Sequence, residues 1–157
     1  MSFEVRAAII EDCAQALELI KELAIFEKAE YELSLTLDEF EKDGFGKRPS
    51  FFMYVAAHEG IILGIALCYE KYSTWKGKSI YLEDLIVTKS KRGIGIGKAL
   101  FERVIREAKH RGSGRLEWQV LDWNTQAIDF YKSYGAEIDD SWLNGRFTYE
   151  QLKTINL

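Results

Sequence analysis

With 157 residues, 47% of them hydrophobic and 13% aromatic, the chain has material for a substantial core, is expected to form one domain over residues 1–157, and is not a disordered segment. A formal charge of −4 argues against a general nucleic-acid surface and suits a cationic ligand, and no apolar run approaches the ~20 residues needed to cross a bilayer. Cys13 and Cys68 lie in separate apolar patterns without metal-ligand spacing, and no basic-then-apolar leader opens the chain, so buried thiols and a cytoplasmic location are expected.

Residues 3–7 alternate like an opening strand. A long amphipathic helix follows, with Cys13, Leu17, Ile20, Leu23 and Ala24 on its apolar stripe, and ends near residues 26–28. Residues 27–32 form an acid-rich loop. Thr36 and Glu39 have the form of a capping box for a short second helix, which Gly44 and Gly46 terminate. Residues 51–57 and 61–69 are two strands joined at hairpin spacing through His58, Glu59 and Gly60. His58 sits in that turn and His110 at a helix end, which gives little support to a Ser/His/Asp or Cys/His triad. A third strand over residues 80–87 would complete an antiparallel meander.

Two carboxylates, Glu83 and Asp84, stand in the middle of this third strand, where charge is expensive. A side-chain period of two sends Glu83 to the face of Tyr81, Leu85 and Val87, and Asp84 to the face of Leu82 and Ile86. Each face therefore receives one acid. Lys89, Lys91 and Arg92 then lead into Gly93, Gly95 and Gly97, after which an apolar repeat of helical period begins. Alternate glycines permit left-handed backbone and close approach of a ligand, while a new helix presents unpaired N–H groups and a partial positive charge. The stretch reads as an anion cradle, best matched to a diphosphate. Its spacing fits neither a dinucleotide fingerprint, since the third glycine comes one residue early, nor a Walker loop, since Ala99 stands where a hydroxyl is needed.

The helix after the cradle carries Leu100, Phe101, Val104, Ile105 and Ala108 on one side and stops at residues 111–114. Residues 115–121 form a strand parallel to residues 80–87, with Glu117 and Gln119 turned away from Leu116, Trp118 and Val120. Asn124 caps a further helix running to Tyr134, with Gly135 as its left-handed stop. A late strand over residues 145–149 and a short terminal helix complete the chain and supply packing and dimer contacts.

Arg92-Gly-Ile-Gly-Ile-Gly97 resembles the acyl-CoA diphosphate loop of the GNAT superfamily of N-acetyltransferases, in which Arg or Gln is followed after two residues by Gly and, one residue later, by Gly or Ala. The segment Asn124-x-x-Ala-Ile-x-Phe-Tyr-x-x-x-Gly-Ala136 is similar to the same family's downstream signature, in the right order and at the usual distance. Leu19-Ile-Lys-Glu-Leu-Ala24, Asp43-Gly-Phe-Gly46, Tyr81-Leu-Glu-Asp84 and Asp122-Trp-Asn124 look like the spermidine/spermine (diamine) branch, which includes thialysine acetyltransferases. The resemblance implies a single-domain α/β (α+β) GNAT-like fold, with a mixed central sheet of about six to seven strands flanked by about four helices.

Implied with it is transfer of acetyl from acetyl-CoA, without a metal, to a primary amine of a small cationic, diamine- or polyamine-like substrate by direct attack on the thioester. A thialysine or other amino-acid side-chain acetyltransferase is the alternative enzyme, and a non-catalytic CoA-binding sensor or interaction module the alternative of another class. An ammonium with a pKa near ~10.4 has no lone pair until a proton leaves. Glu83, beside the loop, is the candidate base, acting through a water; otherwise it would pair with an arginine across the sheet. Tyr131 matches the family's acid for the departing thiolate. The backbone of Leu85, Ile86 and Val87 is implied to pair with the pantetheine arm, and Arg92, Gly93, Ile94, Gly95, Ile96, Gly97 and Lys98 to hold the diphosphate. Asn124, Ala127 and Tyr131 would border the CoA. Phe26 and Glu27 occupy the place of the aromatic-acid pair that contacts the amine in the polyamine branch, and Glu27, Glu83 and Glu117 would form an anionic channel. The expected setting is a homodimer without nucleic-acid or membrane partners.

Overall fold

A computed structural model describes residues 2–157 and divides into two compact units, a first ending at Gln119 and a second running Val120–Leu157. In the first unit, β1 (Glu4–Ala7), β2 (Phe52–His58), β3 (Ile61–Ser73), β4 (Gly77–Val87) and β5 (Leu116–Glu117) form one sheet in the order β1-β2-β3-β4-β5. All neighbours are antiparallel except β4 and β5, which are parallel and joined through α3 (Ile96–His110). The expected meander is therefore present, and so is the strand-helix-strand unit around the glycine loop.

The sheet is covered on both faces, which is why Ile62–Cys68 of β3 is buried without a break. On one face α1 (Cys13–Phe26) and α2 (Leu37–Phe45) pack Cys13, Ala16, Leu17, Leu19 and Phe40 against Met53, Val55, Ile65, Leu67 and Ile86. Arg6 ties β1 to the start of α1 by donating to both oxygens of Asp12, at 2.7 and 3.0 Å. Thr36 opens α2 with the expected capping box: its Oγ1 accepts from the Glu39 N–H at 3.3 Å, and the Glu39 carboxylate accepts from the Thr36 N–H at 2.9 Å.

The other face takes α3. Gly64 of β3 allows its close approach, because a Cβ there would stand 2.7 Å from the Ile86 carbonyl oxygen and 3.1 Å from side-chain atoms of both Ile96 and Leu100. Further along, the guanidinium groups of Arg103 and Arg111 stack 4.2 Å from the ring centroids of Tyr54 and Phe52. Glu107 pairs with both arginines.

One irregularity changes the expected faces of β4. Cys68 pairs with Leu82 and the preceding residue, Leu67, with Asp84, so Glu83 is an extra residue in a β-bulge. The period of two restarts there. Asp84 lies on the face of Tyr81, Tyr69 and Leu67, the same face as α1, and not on the face of Leu82, as strict alternation had it. The bulge also bends β4 away from β5, whose ladder with it spans only Ile80↔Leu116 and Tyr81↔Glu117.

The sheet has five strands among the described residues, not six to seven, and there are five α-helices rather than about four. The strand expected over residues 115–121 shrinks to two residues because of the divergence at the bulge. In the second unit, α4 (Thr125–Lys132) is capped by Asn124, whose Oδ1 accepts from the Ala127 N–H at 3.2 Å. It stops two residues before Tyr134, and Gly135 follows with φ 80°. Residues 145–149 form no strand. Thr148 instead caps α5 (Tyr149–Thr154), its Oγ1 accepting from the Gln151 N–H at 3.2 Å, so local hydrogen bonds take the place of a ladder. Cys13 and Cys68 are free, buried thiols, as expected. Among the described residues, no helix is long and apolar enough to cross a membrane.

Candidate active site

The loop between β4 and α3 is fastened at its start. The Glu22 carboxylate, from α1, accepts from the Lys89 N–H at 2.6 Å and from the Thr88 hydroxyl at 3.1 Å. Arg92 then folds back, donating from Nε to the Val87 carbonyl at 2.9 Å and placing its guanidinium 5.4 Å from the centroid of the Phe26 ring. Gly93 and Gly95 have φ of +82° and +91°, conformations that strain any L side chain, and a Cβ at either would meet no atom within 4 Å. The space before the loop is open. The first helical bond of α3 joins the Ala99 N–H to the Gly95 carbonyl at 3.0 Å, so the N–H groups of Ile96, Gly97 and Lys98 precede any intrahelical acceptor. Positive-φ glycines, unclaimed donors, the positive end of a 15-residue helix and nearby Lys89, Lys91, Arg92 and Lys98 together fit a diphosphate.

On the α1 side of the sheet, beyond the end of that helix, lies a face dense in acids and phenols. Tyr69, Tyr81 and Glu117 are cross-strand neighbours on β3, β4 and β5, and the two tyrosine rings stand 5.2 Å apart, tilted by 31°. The Tyr69 hydroxyl donates to Glu83, and burial, then the charge of Glu83, raises its pKa. Burial followed by the charge of Glu83 pushes Tyr81 up to about 12. Half-buried Asp84 is pushed up to about 7, first by burial and then by the like charges of Glu83 and Glu27. Glu27, just past α1, is itself raised by burial. Lys71 Nζ lies 3.4 Å from Glu117 Oε2 and 5.3 Å from the centroid of the Tyr81 ring, and Arg115 Nη1 lies 3.5 Å from Glu117 Oε1. The arrangement suits a cation at the Glu27, Glu83 and Asp84 end.

A family model described as the acetyltransferase (GNAT) family matches residues 15–136. The chain belongs to the GNAT acetyltransferase family. It is an N-acetyltransferase, and enzymes of this family use acetyl-CoA. It is 34% identical to a thialysine N-epsilon-acetyltransferase of Mus musculus, over 98% of this chain and 97% of that one. Likewise it is 34% identical to spermidine/spermine N(1)-acetyltransferase-like protein 1 of Homo sapiens, over 96% of this chain but 23% of the human one. Among solved structures, an integron cassette protein from the mobile metagenome of V. cholerae superposes with a TM-score of 0.78 at 24% identity, covering 98% of this chain and 96% of that one. An aminoglycoside N-acetyltransferase solved in complex with CoA superposes with a TM-score of 0.74 at 18% identity, covering 93% of this chain and 95% of its own.

Within this GNAT fold, the first unit brings Glu27, Glu83 and Glu117 to one sheet face and sets Phe26 against Arg92 of the glycine loop. Glu83 is an exposed bulge residue rather than a buried strand residue, and it enters no ion pair among the described residues. Glu117 is paired with Lys71 and Arg115. Leu85, Ile86 and Val87 have β3 on one edge and, β5 having ended, no strand partner on the other among the described residues. Ile94 is exposed at the crest of the loop. Asn124, Ala127 and Tyr131 belong to the second unit, where the cap bond holds the start of α4 and buried Tyr131 packs edge-on to Phe130 at 5.3 Å.

Asp84 is the site residue that sequence reasoning missed. A bulge leaves no mark in a pattern of apolar residues, and only the adjacency of two acids hinted at one. Lys71 lies beyond the strand expected over residues 61–69, and the longer β3 carries it onto the acidic face. Among the described residues, no group of three or more His, Cys, Asp or Glu is placed to hold a metal ion.

Proposed function

We propose that residues 1–157 are a single acetyltransferase domain that transfers acetyl from acetyl-CoA to a primary amine of a small cationic, diamine- or polyamine-like substrate. The observation that carries this reading is the pairing of an open, donor-rich glycine loop with an acid cluster that includes Glu27, whose neighbour in sequence, Phe26, touches that loop through Arg92.

Bound acetyl-CoA supplies a thioester carbon open to attack and a thiolate that leaves. Residues Arg92 to Lys98 would hold its diphosphate through backbone N–H groups, and the edge of β4 that β5 leaves uncovered, at Leu85, Ile86 and Val87, would hydrogen-bond the pantetheine arm beside the Val87 carbonyl already bonded to Arg92. Asn124 and Ala127 would border the CoA, as the family resemblance implies. Glu27, Glu83 and Asp84 draw an ammonium to the face by Coulomb attraction. Glu83 takes the amine proton through a water, freeing the lone pair for direct attack, and the Tyr131 phenol returns a proton to the sulfur. Two protons leave the ammonium nitrogen on its way to the amide: Glu83 passes the first to solvent, and the second replaces the proton that Tyr131 gives to the sulfur, so the phenol is restored. Glu83 is suited to its part because it is exposed and its hydrogen bond from Tyr69 fixes its orientation.

A second reading, acetylation of an amino-acid side-chain amine, is favoured by the thialysine N-epsilon-acetyltransferases among the relatives. A homodimer is proposed because Trp142, Leu143, Phe147, Tyr149 and Leu152 expose a run of large apolar side chains that a second copy would cover. The free, buried Cys13 and Cys68 support a reducing cytoplasm, and the net charge of −4 supports neither nucleic acid nor an anionic membrane as partner. The test is a panel of amines scored by thiol release from acetyl-CoA. Release with small cationic amines is expected, whereas none with any amine would leave a CoA-binding module without turnover.

A further inference from the structure

The acidic face is not uniform. At one end stand Glu27, Glu83 and Asp84, where like charges act on one another. At the other, two cations meet one carboxylate: Lys71 Nζ at 3.4 Å from Glu117 Oε2, and Arg115 Nη1 at 3.5 Å from Oε1. Glu117 Oε2 is buried without a hydrogen bond, so the Lys71 ammonium is what answers its charge. Lys71 also approaches the face of Tyr81, at 5.3 Å, the ring position a ligand cation would otherwise take. Its side chain is 44% exposed against 27% for Glu117, so the ammonium remains reachable from solution while the carboxylate is largely covered. Two positive groups around one negative leave this corner with a net positive charge. Glu117 lies across the ladder from Tyr81, two residues along β4 from Glu83, a Cα separation of about 8 Å at ordinary strand spacings. A short aliphatic chain bridges such a gap.

We propose that Lys71 is a specificity-determining residue: with Arg115 it makes the Glu117 corner positive, so that the face accepts the carboxylate end of an amino acid whose side-chain amine points to Glu83, and turns away a diamine's second ammonium. The inference rests on the proposed amine acetylation and selects the amino-acid substrate class within it. Attraction and repulsion act together here, because the same charge that pairs with a carboxylate opposes a second cation.

Lysine and 1,5-diaminopentane test this, since they have the same chain and differ by the carboxylate alone. For the wild-type chain, kcat/KM is expected to favour lysine. Lys71→Met, which keeps the stem over Tyr81 and removes the charge, should shrink the lysine-to-diamine ratio by about tenfold, with the KM for acetyl-CoA unchanged. Lys71→Arg should keep the ratio. Lys71→Gln gives the same reading should the Met variant fold poorly. A ratio that stays within a factor of about two in the neutral variants, or a wild-type preference for the diamine, overturns the inference. Turnover with other amines but with neither of this pair overturns it as well and leaves the amine acetyltransferase reading standing. Absence of thiol release with every amine tested defeats that reading itself.

Discussion

Asp84 is held in the fold at a proton affinity it would not have in the unfolded chain. Its pKa is raised from 3.8 to about 7, so between roughly pH 4 and pH 7 the folded chain binds more protons than the unfolded one. Its share of stability is therefore greatest at low pH, falls as pH rises through that window, and is a full penalty above it. Asp84→Asn should stabilise the chain at pH 8 by on the order of a few kcal/mol and by much less at pH 5. Urea unfolding at the two pH values measures this, and an equal change at both would show that burial of the charge is not what strains the site. Tyr131→Phe removes a single hydroxyl from a buried ring. If that hydroxyl protonates the thiolate, kcat should fall by about a hundredfold with the KM for acetyl-CoA unmoved. An unaltered kcat would remove Tyr131 as the acid. At this scale the sequence was readable where a residue acts through a motif, as with the Asn124 cap, and unreadable where a neighbour strand decides. Asp84 joins the face of Tyr81 because β3 skips a residue opposite Glu83, which no property of residues 80–87 records.

The glycine loop is the element on which the proposed chemistry turns. At φ +91°, Gly95 is the residue before the first turn of α3, and a β-branched side chain there costs about 1–3 kcal/mol of backbone strain or moves the helix start. Gly95→Val should raise the KM for acetyl-CoA by about tenfold or more, with a smaller effect on kcat at saturation. Steady-state kinetics over acetyl-CoA concentration would check this, and an unchanged KM rules out the cradle. The helices were legible because each carries its own instructions: apolar stripes in α1 and α3, the Thr36 box for α2, and Asn124 for α4. Residues 145–149 misled because alternating aromatics suggested a strand. The decisive signal is Thr148 followed three residues later by Gln151, a capping box like the one at Thr36.

Taken whole, the first unit follows from a hydrophobic meander sandwiched between helices: short connections set β2, β3 and β4 side by side, while β1 and β5 join the sheet through the helical segments α1–α2 and α3. Part of the shortfall in strand number lies at residues 145–149, where the Thr148 cap and α5 replace a strand, while the parting of β4 from β5 after Tyr81 and Glu117 cuts the last strand to two residues. That parting has a price outside catalysis. A run of peptide groups with no neighbouring strand is a template on which another chain can add itself, and proteins ordinarily blunt such margins with charge or proline. Here Leu85, Ile86 and Val87 are apolar, as a buried lining requires. Saturating CoA should therefore slow aggregation of the concentrated protein as seen by light scattering, and equal rates with and without it would mean that this margin is shielded in some other way. An enzyme built so would keep best in storage with its own product bound.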